Sequence, residues 1–141
     1  MVYKNIKIAL LFFLILLTNK LYSQNVIYFT NGVNTLNPKK INRVFTAKDA
    51  YWENGKSVSV CLPGSKSDIA SEVYLRVYNQ SIKEVQKFWL SMVFQGRAKS
   101  PHFFDTEEDM INYVKRNPGS VGVLPADKKS SLPSGLIIIS I

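Results

Sequence analysis

Val58, Val60 and Leu62 alternate with small residues up to Pro63-Gly64, and beyond that turn Ile69, Val73 and Val77 recur every fourth residue. A period of two lines one face of a strand, whereas a period near 3.6 lines one stripe of a helix. A strand that feeds a helix across a tight turn buries its sheet under that helix. The chain is thereby restricted to a layered α/β architecture.

The remaining segments extend this pattern. Val26-Ile-Tyr-Phe29 is β-prone and is ended by Thr30-Asn31-Gly32. Asn37 before Pro38 predicts a helix start, with Ile41, Val44 and Phe45 on one face. Asn54-Gly55 marks a turn that leads into the strand Ser57 to Leu62. Ser81-Ile-Lys-Glu84 is a capping box followed by the apolar stripe Ile82, Val85, Phe88, Trp89, Met92 and Val93, and Gly96 suits the left-handed position past the helix end. Thr106-Glu-Glu-Asp109 opens a further helix through Val114, stopped by Asn117-Pro118-Gly119. Val121 to Leu124 and Gly135 to Ile141 read as strands. The order β, α, β, α, α, α, β, β predicts a three-layer α/β/α domain on a mostly parallel or mixed sheet. The near-continuous apolar terminal strand is expected deep within that sheet.

Lys4 and Lys7 precede an unbroken apolar run from Ile8 to Leu17, and Leu21-Tyr22-Ser23 follows with a small residue at its end. This is the pattern of a signal peptide over 1-23, cut near Ser23-Gln24. The apolar core is about ten residues, short of the roughly 20 that span a bilayer, so cleavage is expected rather than anchoring. One domain, 24-141, remains, and it is predicted to be periplasmic or secreted. Loss of Lys4, Lys7 and Lys20 lowers the net charge from +8 to +5. The remaining lysines are scattered, with no basic stripe interleaved with aromatics, which argues against a nucleic-acid partner. Cys61 is the only cysteine, so no internal disulfide is available. It reads as a small buried side chain at a strand end or, alternatively, as a reactive thiol.

The candidate chemistry lies in Cys61-Leu-Pro-Gly-Ser-Lys-Ser-Asp68. Ligands of open α/β sheets sit beyond the carboxyl ends of strands, where helix starts present unpaired amides and the positive dipole end. Ser65, Lys66 and Ser67 hold that position and can cradle an oxyanion; equally, Ser67 or Asp68 can simply cap the helix. Arg97, past a helix end, can pair with an anion or complement the helix dipole. Tyr51 and Trp52 can line a groove, or one ring can pack under the turn. The single histidine, His102, and the single cysteine do not make a metal site. No acid–base pair or nucleophile elbow is present, so no catalytic residue and no cofactor are assigned.

Taken together, the motifs resemble the substrate-binding proteins of phosphate ABC transporters, the type 2 periplasmic-binding-protein fold. The resemblance runs from about Ile41 to Leu124. It rests on Ile41-Asn-Arg-Val-Phe45 with Trp52-Glu-Asn-Gly55; on Lys87-Phe-Trp89 with Val93-Phe-Gln-Gly-Arg97 and Pro101; and on Met110 to Val114 with Asn117-Pro-Gly-Ser-Val-Gly122. It implies a phosphate loop in which an arginine precedes Ser-Gly-Thr. Here the arginine position is Cys61, and the other three are Ser65, Lys66 and Ser67. Lys66 supplies charge without the bidentate fork of arginine. The resemblance also gives Thr30 and Asn31 a ligand role after the first strand, and the chain length corresponds to a small single-lobe member.

Two functions follow as expectations. One is an exported, non-catalytic domain that binds phosphate or another small oxyanion, with a membrane transporter as a possible partner. The other is an envelope protein-interaction module that kept the fold and lost the ligand.

Overall fold

A computed structural model describes residues 2–18 and 25–141. Its elements are α1 (Val2–Thr18), β1 (Val26–Thr30), α2 (Pro38–Phe45), β2 (Ser59–Pro63), α3 (Ala70–Tyr78), α4 (Ile82–Phe94), β3 (His102–Phe104), α5 (Glu107–Arg116), β4 (Ser120–Pro125), a 3-10 turn (Ala126–Ser131) and β5 (Ile137–Ser140). Among the described residues no helix is long and apolar enough to cross a membrane. The expected cut after Ser23 lies outside the described residues.

The local signals act where they stand. Asn37 accepts the Lys40 amide at 2.8 Å with Pro38 at the first helical position. Ser81 and Glu84 exchange side-chain bonds with each other's amides at 3.3 and 2.8 Å, and Thr106 accepts the Asp109 amide at 3.1 Å. Each such bond satisfies a helix-end donor that has no partner in the helix itself.

The sheet has the order β3-β2-β4-β1-β5. β2 is parallel to β3 and to β4, while β1 runs antiparallel to both its neighbours, β4 and β5. The sheet is therefore mixed. β4 is central and buried throughout, as is β1 beside it. The Ile41, Val44 and Phe45 face of α2 is buried, and Phe45 meets Tyr28 of β1 edge to face at 4.9 Å. On the same side Trp89 of α4 donates its indole N–H to the Tyr78 hydroxyl of α3 at 3.1 Å. On the opposite side Tyr113 of α5 stacks on His102 and Phe104 of β3. This is the three-layer α/β/α arrangement, and each large apolar side chain buried in it contributes about 1.5–3 kcal/mol.

Two expectations need correction. The terminal strand is not deep in the sheet: β5 pairs only with β1, at an edge, and Ile137 to Ile139 are half-buried. The reason is the reversed strand β1, which enters between β4 and β5 and gives β4 the two-sided burial. Second, His102–Phe104 forms a strand that the sequence did not announce. With only three residues it has no readable period, and its pairing with Cys61 to Pro63 is what makes it a strand.

Candidate functional site

β2 ends at Pro63 against Phe104 of β3, and Gly64 continues the ladder with its amide on the Phe104 carbonyl at 2.7 Å. A side chain at Gly64 would place a β-carbon 3.0 Å from the Asp105 carboxylate, so glycine fits where the two strands open out. The chain then turns twice, with Ser67 N–H donating to Gly64 at 2.9 Å and Ala70 N–H to Ser67 at 3.2 Å, before α3 starts at Ala70. The cap position is Ile69, with no side-chain hydrogen bond, so neither Ser67 nor Asp68 caps the helix. The Ser65 and Lys66 side chains are exposed and Ser67 is half-buried, and none of the three has a side-chain partner among the described residues. The base of the turn is fixed from below, where the buried Tyr74 hydroxyl of α3 donates to the Pro63 carbonyl.

The structure does not bring the six candidate residues together. Because β1 is antiparallel, Thr30 lies level with Val121 and hence with Val60, at the start of β2. At ~3.3 Å per residue, Val60 to Pro63 alone spans roughly 10 Å, farther than one small oxyanion bridges. The Thr30 and Asn31 side chains are also engaged: the Thr30 hydroxyl donates to Ser120 O at 2.6 Å, and the Asn31 amide to Lys115 O at 2.8 Å. Arg97 lines a cavity with Val58, Val60 and Lys99, apart from the Gly64 turn. The six therefore fall in three places: Ser65, Lys66 and Ser67 at the turn, Thr30 and Asn31 at the end of β1, and Arg97 at the cavity.

At the start of β2 one ring does pack under the turn, that of Trp52, and its pairing with Gly119 is what sequence reasoning missed. Trp52 is buried and donates its indole N–H to Gly119 O at 2.7 Å, while Ser59 N–H donates to the same carbonyl at 3.2 Å. Gly119 has φ +92, and a β-carbon there would meet Ser57 O at 2.7 Å. The Trp52-Glu-Asn-Gly55 and Asn117-Pro-Gly119 motifs thus clamp each other. Their signal in the sequence was the pairing of a tryptophan turn with a proline-glycine turn, but 67 residues separate the partners. Tyr51, by contrast, is exposed and lines the same cavity as Arg97.

Electrostatics differ at the two ends. Beside the turn stand Asp68, two residues after Lys66, and Asp105, whose carboxylate lies against Gly64, while Glu107 at the start of α5 pairs with Lys128 at 3.5 Å. At the cavity the Asp49 carboxyl is held down to about 2 by hydrogen bonds from Arg43 and then Lys40. Cys61 is fully buried, and burial pushes its thiol up to about 12, which fits a packing role rather than a nucleophile. Among the described residues no group of histidine, cysteine and acidic side chains is placed to hold a metal ion.

No family model matches the chain, and no curated protein matches it. Solved structures do. An ABC-type phosphate transport receptor from Vibrio cholerae superposes with a TM-score of 0.57 at 13% identity, over 82% of this chain and 45% of the receptor. PstS from Borrelia burgdorferi superposes with a TM-score of 0.52, also at 13% identity, over 81% of this chain and 46% of that one. The chain thus spans less than half the length of either protein. At this identity the likeness is one of architecture: the chain shares, in a single α/β unit, the fold of less than half of each of these two phosphate transport proteins.

Proposed function

We propose that this chain is an exported, non-catalytic domain that holds phosphate or a similar oxyanion at the turn Gly64–Asp68. The observation that carries the reading is the uncapped start of α3: Ser65 and Ser67 offer hydroxyls, Lys66 offers charge, and the amides of Ser65, Lys66, Asp68 and Ile69 find no acceptor among the described residues. Donors of this kind ahead of a helix suit a small anion. The fold shared with part of two phosphate transport receptors supports the same reading, and a part in transport across a membrane is the finer proposal that goes with it. Cys61 in place of an arginine, the open exposure of the turn and the Asp105 carboxylate beside it all set the affinity low, in competition with water and salt.

Calorimetric titration of the exported protein with phosphate and with sulfate tests this. Saturable heat at millimolar anion is expected, with loss of that heat in Ser65→Ala combined with Ser67→Ala. Absence of heat, together with an unchanged melting temperature, refutes it.

A second reading, an interaction module of the cell envelope, draws on α4, where Leu90 and Phe94 stand 58% and 83% exposed at i, i+4 spacing. It predicts that the serine pair is dispensable for function, whereas Leu90→Lys with Phe94→Lys abolishes it.

A further inference from the structure

We infer that the cavity between α2, α4 and the start of β2 is a second site, built for a small amphipathic carboxylate: an apolar or aromatic body of about ten non-hydrogen atoms bearing one anionic group. The cavity measures about 280 Å³. That is near the lower end of small-molecule sites, which join an apolar lining to a few polar groups that set orientation.

The lining has that division. Val44, Val60 and Trp89, each at most 7% exposed, supply an apolar wall, and Tyr51, a residue 61% exposed, adds an aromatic side chain. Asp49 is the acidic residue in the lining, and its charge is already matched: Lys40 meets Oδ2 at 2.9 Å and Arg43 meets Oδ1 at 2.8 Å. Arg97 and Lys99 line the same cavity with no carboxylate partner among the described residues. The unmatched charge of the lining is therefore positive. An inorganic oxyanion would leave the apolar wall uncovered, and a neutral hydrocarbon would leave the two cations without a counter-charge. A carboxylate on an apolar body answers both, since a guanidinium fork matches a carboxylate in geometry as well as charge. The site lies at the opposite end of β2 from the Gly64–Asp68 turn and does not depend on it.

The test follows the Trp89 indole N–H resonance, which reports on the cavity wall, while phenylacetate, 2-phenylethanol and inorganic phosphate are titrated separately into the exported protein. Phenylacetate is expected to shift this resonance saturably, and the neutral alcohol to bind about tenfold more weakly, as for loss of a charge-assisted pair. Arg97→Gln should weaken phenylacetate about tenfold, and Arg97→Lys should recover part of that loss. Arg97 is exposed, so an unchanged melting temperature verifies that these variants fold. Ser65→Ala with Ser67→Ala should leave phenylacetate binding unaltered, whether or not the turn binds phosphate. No saturable shift with phenylacetate, equal binding of the alcohol, or the same shift with inorganic phosphate overturns the inference.

Discussion

Replacement of Tyr74 by phenylalanine isolates the bond that fixes the Gly64–Asp68 turn. Tyr74 is fully buried, and its hydroxyl donates to the Pro63 carbonyl, which is itself buried at the end of β2. The phenylalanine ring keeps the packing volume, so no cavity term arises. What is lost is one hydrogen bond, and what remains is a buried carbonyl without its side-chain donor, at a cost of about 1–3 kcal/mol. For a domain of this size that corresponds to a melting-temperature drop of roughly 4–12 °C. Urea unfolding followed by tryptophan fluorescence should show a lower midpoint at unchanged slope, because the surface exposed on unfolding is the same. Amide exchange should accelerate at Gly64, Ser67 and Ala70, the hydrogen-bonded amides of the turn, more than in β4, since the bond ties α3 to the strand end just before the turn. A midpoint within experimental error of the parent, with unaltered exchange in the turn, refutes the reasoning.

Other outcomes follow from single contacts. A β-carbon at Gly122 would overlap the Phe29 ring across the β1–β4 pair, so Gly122→Ala should destabilise by about 1–3 kcal/mol in denaturant titration. The Asp49 carboxyl, normally at 3.8, is lowered to about 2 by Arg43 and Lys40, so its stabilising contribution is complete above about pH 4 and is lost as pH falls toward 2. Asp49→Asn should accordingly be less stable than the parent at pH 7, with the gap closing toward pH 2. Cys61 should resist thiol reagents at pH 8 until urea opens the core, since burial lifts its ionisation from 9.0 to about 12.

What the sequence determined by itself was local. The Asn37, Ser81 and Thr106 caps, the apolar stripe of α4 and the switch from strand to helix at Pro63-Gly64 depend on residues within one or two turns of each other, so period and capping chemistry display them directly. The layered α/β class and the position of Ser65, Lys66 and Ser67 after a strand follow from the same signals. Tertiary structure decided the rest. The reversal of β1 between β4 and β5 set which strand is central, moved the terminal strand to the edge and carried Thr30 and Asn31 to the far end of β2 from the turn. It also joined Trp52 to Gly119 and brought Arg97 and Lys99 to a wall made by Val44 and Trp89. Such pairings link residues tens of positions apart. They are selected by the burial and hydrogen bonding of the whole sheet at once, and no short window of sequence carries that sum.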